Sequence, residues 1–298
     1  MIVVDDESTD ETALIASKFG AKVVPIELRP KGFAPKAYAC HKDYLQSKGD
    51  VAVFLDADTI VSPKFIERVS LHFCKSSNRV LSLQPFHRTT SPLQTLAVFF
   101  HVASIVGSGL FSLVHFSVGL FGPCIAIRRE AYDLVDGFAN EKVSGSFVED
   151  VELSQVLKEE GIEFKRYLGT GILENTMYPD FRSMVLGWKK AISLGAGKTP
   201  IIVLIFIVTL IGSLIGIPVT LVVNSDQETF GLILLLQNLI LLLLVVNVAV
   251  RLGNYVLAAI AYPISILVFV IVFSMSIVST LFRKDVIWAG RALQLKSN

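Results

Sequence analysis

Charge is what this sequence is shortest of. Asp, Glu, Lys and Arg make up 18% of its 298 residues, against about a quarter in an ordinary soluble domain. The 27 basic and 26 acidic residues leave a formal net charge of +1, so there is no basic excess to mark a nucleic-acid partner. Cysteine is nearly missing too. Cys40, Cys74 and Cys124 are odd in number and form no CxxC pair, which argues against a disulfide framework and a structural zinc site and fits reduced thiols facing the cytosol. None of the five histidines has metal-ligand spacing. Repeats and low-complexity tracts are absent, and the opening MIVVDDESTDET runs an apolar triplet straight into acids, unlike a secretory signal.

Hydrophobic residues are what it has in excess, at 52% with a mean hydropathy of +0.61, which excludes intrinsic disorder. The excess is segregated. Residues 201–282 contain only Asp226, Glu228 and Arg251 as charges. Ile201 to Val223 and Phe230 to Val250 are about as long as the ~20 residues of a membrane helix, and Tyr255 to Phe282 is longer, with Pro263 inside it. None of the three shows the polar stripe of a buried soluble helix. The expected organisation is a domain over residues 1–198 and a membrane-embedded helical region over residues 199–298.

Within the first region, strands alternate with helices. Ile2 to Val4 reads as a strand, followed by a helix capped by Asp10 and ending at Gly20. Ala21 to Ile26 is the next strand, Lys36 to Gln46 a helix after a Gly32 loop, and Val51 to Leu55 a buried strand ending in Asp56-Ala57-Asp58. Pro63 opens a helix to about Cys74, and Val80 to Leu83 is a further strand. Together they predict βα units of a mainly parallel sheet, with ligands bound beyond the carboxyl ends of the strands. Leu93 to Leu120 lacks a clean period and reads as an interfacial helix pair. Gly122 to Ile127 reads as a strand, Glu149 and Asp150 start a helix that ends near Gly161, and Phe181 to Leu194 is another helix.

The acids at strand ends carry the candidate chemistry. Asp56 and Asp58, two apart after a hydrophobic strand, can reach one hard cation that in turn holds a diphosphate. Strand-end acids also serve as helix caps, which Asp58 before Thr59 equally fits. Asp5 and Asp6, straight after Val3 and Val4, suit a ribose or base edge, while Ser8 and Asp10 read as a solvated turn and a cap. Glu149 and Asp150 either complement a helix dipole or include a base that accepts a proton from a nucleophilic hydroxyl. Lys36 can reach a phosphate or be a surface lysine. His87 reads as a structural hydrogen-bonding residue.

The order of these motifs is more specific than any one of them. VVDDESTDET, Lys36 with Ala37 and Ala39, LDADT, FGPCIAIRREAY, FVEDVELSQVLKEEG, GWKKAISLGAGKTP and then apolar spans closely resemble membrane-attached family 2 glycosyltransferases along essentially the whole chain. SLQPFH, the FGP strand and VIWAGR are most similar to the bacterial members acting on carotenoid acids. The resemblance implies an α/β GT-A nucleotide-sugar-binding (Rossmann-like) domain followed by a helical membrane-embedded tail. It implies that Asp5 and Asp6 hold the uridine of a UDP-sugar donor, that Lys36 lies near its phosphates, and that Asp56 and Asp58 bind Mg²⁺ or Mn²⁺. It implies Asp150, with Glu149, as the general base of an inverting transfer to a lipid or apocarotenoid acceptor. Trp188 sits where many relatives carry Q/RxxRW. The segment here, Leu186 to Lys190, lacks that glutamine and arginine, which favours a single transfer over polymerisation. Relatives also carry a strand with an Asn-Glu pair upstream of VVDD, so this chain opens at what would be their second strand, and the expectation is that a longer form is more active.

Two other classes compete. A haloacid-dehalogenase-type phosphotransferase would use Asp56 as nucleophile and Asp58 as acid in DxDxT, and a non-catalytic membrane subunit or decayed membrane protein would bind no nucleotide.

The lysines flanking the apolar spans make a multi-pass topology testable. Lys189, Lys190 and Lys198 precede the first run and Arg283, Lys284, Arg291 and Lys296 follow the last, so the positive-inside tendency puts both ends in the cytosol. That needs an even number of crossings. Phe230 to Val250, with Gln237, Asn238 and Asn247, is the expected non-crossing segment, and a re-entrant Tyr255 to Phe282 bent at Pro263 is the alternative. A cysteine placed at Ser297 should therefore escape a membrane-impermeant thiol reagent in intact cells. Labelling there would establish three crossings instead.

Overall fold

The computed structural model describes residues 1–110, 119–195, 201–223, 228–282, 285–288 and 291–294. The chain begins β1 (Ile2–Asp5), α1 (Thr12–Lys18), β2 (Lys22–Pro25), α2 (Pro35–Gln46), β3 (Val51–Leu55), β4 (Thr59–Val61), α3 (Phe65–Lys75) and β5 (Val80–Gln84). It continues through β6 (Phe86–His87), α4 (Val98–Ser108), β7 (Cys124–Arg128), α5 (Arg129–Leu134), α6 (Glu141–Ser144), α7 (Glu149–Glu159), β8 (Phe164–Leu168) and β9 (Leu173–Asn175). The remainder is α8 (Phe181–Gly195), α9 (Ile201–Val223), α10 (Glu228–Leu252), α11 (Val256–Ile260), α12 (Tyr262–Phe282), β10 (Asp285–Trp288) and β11 (Arg291–Gln294).

These elements fall into two compact units, Met1–Pro85 with Val118–Leu173, and Phe86–Ser117 with Glu174–Asn298. The division differs from the expected boundary at residue 198. Its reason is burial: α4 buries Val98, Phe99, Phe100, Val102 and Ile105, and both α4 and α8 pack against α12, so these segments join the apolar helices although they lie earlier in the chain.

In the first unit, β1 and β2 pair in parallel as a sheet of two. A second sheet has the order β3-β7-β5-β8. Only its β5–β8 pair is parallel, because β7 enters between β3 and β5 and runs antiparallel to both. The expectation of a mainly parallel sheet is corrected accordingly. The short apolar CIAIR of β7, from later in the chain, takes the inner position. That position demands burial on both faces, and β7 meets it with alternating side chains. Ile125 and Ile127 face a core shared with Phe54, Tyr132, Phe138, Leu153 and Leu157. Cys124 and Ala126 face another made with Phe65, Val69 and Phe73 of α3. The smaller residues of β7 thus leave room for the three bulky side chains of α3.

Helix boundaries follow local signals with two exceptions. Pro35 opens α2, where a missing N–H costs nothing, and Gly161 with φ of +65° follows the end of α7, as expected. The expected cap Asp10 sits one residue too early: the N-cap of α1 is Glu11, without a side-chain bond. Asp10 instead accepts from the Thr12 backbone N–H at 3.0 Å. Asp58 is not a helix cap either, since Thr59 starts β4.

The second unit is helical. Its aromatic interior contains Phe100 stacked on Trp188 at 5.1 Å between ring centroids, with Phe269 against Phe100, and Ser276 of α12 donates to the Lys189 carbonyl of α8 at 3.0 Å. His87 is buried there, its ring centroid 3.9 Å from that of His101. Pro263 lies in the first turn of α12, after a break from α11 at Ala261. Among the described residues one helix, Gly231–Leu252, is long and apolar enough to cross a membrane; Leu204–Thr220 and Tyr262–Val278 are shorter apolar helices. This does not establish the several crossings expected from sequence. Over the described part of the expected helix pair, Leu93 to Leu120, a 3₁₀ turn, Pro92–Ala97, runs into α4. Residues 111–118, and Arg283, Lys284 and Lys296 of the topology argument, lie outside the described residues.

Candidate active site

Four chain segments of the first unit converge on the Lys36 ammonium. Lys36 lies in the first turn of α2. The loop ahead of it is held by the Ala34 N–H donating to the Ser144 carbonyl at 2.7 Å. Asp56 follows β3, and its N–H donates to the Pro123 carbonyl at 3.1 Å while its own carbonyl accepts from the Thr59 hydroxyl at 2.6 Å. Glu149 and Asp150 are the first two residues of α7. The fourth segment is the turn Phe121 to Pro123. Buried Ser82 brackets it, its oxygen accepting from Phe121 N–H at 2.6 Å and its hydroxyl donating to Phe121 carbonyl at 3.0 Å.

The ammonium stands 2.7 Å from Asp56 Oδ1 and 3.0 Å from Glu149 Oε1. Glu149 keeps only 6% of its surface exposed, so Lys36 is the counter-charge that makes its burial tolerable. Asp150 and Lys36 both lie close to Gly122. A Cβ at Gly122 would come within 2.8 Å of Asp150 Oδ2 and 3.3 Å of Lys36 Nζ. The missing side chain at Gly122 is therefore what lets Asp150 and Lys36 approach the backbone.

Burial, then the charge of Glu149, push the Asp150 carboxyl up to about 6, against the opposing pull of Lys36. Its Oδ1 accepts from Val151 N–H at 2.9 Å, in the first turn of α7. Burial, then Asp56, raise the Asp58 carboxyl above the ordinary range. Desolvation opposes the charge of Lys36, but Glu149, Asp56 and Asp150 outweigh it and hold the ammonium more firmly protonated than usual. Burial pushes the Cys40 and Cys124 thiols up to about 12, so neither is a nucleophile at neutral pH.

The remaining expected residues make contacts of their own. Asp5 Oδ1 accepts from Ser8 N–H at 3.1 Å and Asp6 pairs with Arg29 at 3.6 Å, with no ion pair to Lys36 among the described residues. Trp188 is in the helical unit, edge-on to His101 at 4.9 Å. Sequence reasoning missed Gly122 and Ser82, and it missed that Glu149 anchors Lys36. The glycine before Pro123 was the only available signal, and it was read as the opening of a strand.

Asp56 and Asp58 are hard oxygen donors. Among the described residues no three His, Cys, Asp or Glu side chains gather to hold a metal unaided. Two carboxylates completed by water and phosphate oxygens fit a Mg²⁺-type ion, whereas a structural zinc would need four protein ligands.

An α/β domain with its acids gathered beyond the ends of strands and at a helix start is of the GT-A-like glycosyltransferase class. Residues 1–133 match the family Glycosyl transferase family 2. A curated relative, 4,4'-diaponeurosporenoate glycosyltransferase of Staphylococcus haemolyticus (strain JCSC1435), is 30% identical over 220 residues, 71% of this chain and 58% of the relative. Its namesake in Staphylococcus aureus (strain MRSA252) is 28% identical over 225 residues, 73% of this chain and 60% of the relative. The chain thus spans less than two thirds of the length of these relatives. Among solved structures, glucosyl-3-phosphoglycerate synthase from Mycobacterium tuberculosis in complex with phosphoglyceric acid is 19% identical. That alignment covers 66% of this chain and 68% of that one, with a TM-score of 0.44.

Gly122→Ala tests the close approach. The added methyl must displace Asp150 or Lys36, and a misplacement of about 1 Å in a catalytic group is expected to lower kcat by roughly 10². Turnover within twofold of the parent would show that the space exists.

Proposed function

We propose that this chain transfers a sugar from a nucleotide-sugar donor, with inversion, to a lipid-type acceptor at the cytosolic face of a membrane. The observation that carries the reading is the Lys36 cluster, in which one ammonium joins Asp56, after β3, to Glu149, at the head of α7, beside Asp150. Asp5 and Asp6 are the residues for the nucleoside, Lys36 for the diphosphate, and Asp56 with Asp58 for the metal. A Mg²⁺ or Mn²⁺ ion bound there supplies neutralisation of the departing diphosphate. The acceptor oxygen attacks the anomeric carbon as the bond to the diphosphate breaks, and the bonding electrons leave with the diphosphate. Lys36 is a protein cation placed to meet that developing charge. Asp150 faces the acceptor, and Glu149, committed to Lys36, is better cast as its anchor than as a second base. Trp188 remains a candidate for contact with the donor or acceptor.

A carotenoid carboxylate is the proposed acceptor, in keeping with the relatives' name. Attachment to the membrane through the helical unit is supported by α10, whose Leu232, Ile233, Leu236, Ile240, Leu243 and Leu244 are each more than half exposed. Apolar side chains in such number call for lipid or protein around them.

Two measurements test the roles. Asp58→Asn should abolish metal-dependent binding of the sugar nucleotide, whereas Asp150→Asn should leave binding near normal and lower turnover onto a hydroxyl acceptor by ~10² to 10⁴. Equal defects in binding and turnover for both variants would remove the assignment.

The pH profile separates the acceptors. Asp150 titrates near 6, above an ordinary carboxylate, so it loses its charge as pH falls through that value and cannot then accept a proton. Transfer to a hydroxyl should decline below about pH 6. Transfer to a carboxylate, already ionised, should persist towards pH 5. Identical acid limbs for the two acceptors would exclude Asp150 as the base.

A further inference from the structure

We infer that Lys36 and the divalent cation are alternative partners of Asp56, and that metal enters as Lys36 transfers from Asp56 to the donor's diphosphate. The inference rests on the nucleotide-sugar reading above and adds an exchange to it. Its first ground is position: the ammonium lies 2.7 Å from Asp56 Oδ1, on the carboxylate that the metal requires. A second cation on that group would face the ammonium with nothing between them but the shared carboxylate.

The second ground is that Lys36 has a tether and room to move. Glu149 is almost wholly buried and holds the ammonium at 3.0 Å, so a lysine released from Asp56 keeps one charged partner. Complete departure would strip a buried carboxylate of its counter-ion. The side chain of Lys36 is 43% open to solvent, whereas Gly122 bounds it on the side of Asp150. A diphosphate brought in with the metal gives the ammonium a new anion, and the divalent cation replaces the charge withdrawn from Asp56. Metal and nucleotide then bind cooperatively, each raising the affinity for the other by the same factor.

The test measures Mn²⁺ affinity by electron paramagnetic resonance on the full chain in detergent, with and without UDP. Lys36→Met should bind Mn²⁺ about tenfold more tightly than the parent when UDP is absent, and should lose most of the enhancement that UDP gives the parent. Affinity equal to or below that of the parent, in a variant with an unchanged melting temperature, overturns the exchange. A second measurement needs no variant. Acylation of lysines in the parent protein, read by mass spectrometry, should rise several-fold at Lys36 on saturation with Mn²⁺ and fall when UDP is added. Labelling of Lys36 indifferent to Mn²⁺, in protein that binds UDP, overturns the exchange alone. Protein that binds no UDP at any Mn²⁺ concentration removes the nucleotide-sugar reading and the exchange with it.

Discussion

One buried carboxylate sets the terms for the rest of the site. Glu149 is withdrawn from water at the head of α7, and an unpaired charge in that position would cost several kcal/mol. The Lys36 ammonium meets the need, and in doing so it ties α2 to α7 and both to Asp56 after β3. Such a pair is weak evidence of stability, since an apolar pair of the same size could serve as well. Its value lies in position. It gathers acids from distant parts of the chain round one cation, and the low-dielectric surroundings that make it necessary also raise the Asp150 carboxyl towards neutrality.

The core enforces this arrangement from behind. Leu153 and Leu157 of α7 lie in the same buried cluster as Ile125 and Ile127 of β7 and Phe54 of β3. Helix and strands therefore cannot slide independently, and the acids at their ends are held in common register. The turn before β7 is fixed twice over, by Ser82 on Phe121 and by Asp56 N–H on the Pro123 carbonyl. Gly122 sits between those two attachments, which is why a single methyl there is expected to be felt at Asp150.

The helical unit has a different kind of surface. Its interior is aromatic, with Phe100, Trp188 and Phe269 in contact, yet α10 presents isoleucine and leucine outward along most of its length. An ordinary surface helix keeps its apolar side chains to one stripe. Here the polar exceptions are few, and Gln237 and Asn238 are adjacent in the middle of the helix.

Much of this protein was legible before its tertiary structure. The helices and strands near Asp56, Glu149 and the apolar runs followed from capping, proline and periodicity, which are local properties, and the candidate acids followed from their position at the ends of those elements. The sequence by itself thus determined the elements, the inventory of charged groups and, through the order of its motifs, the family. Only the tertiary structure decided that β7 lies between β3 and β5, that Glu149 is spent on Lys36, and that Gly122 opens the space for Asp150. Each of these depends on residues remote in the chain meeting in space. Capping and periodicity act over a few residues, whereas such meetings are selected by the packing of the whole core.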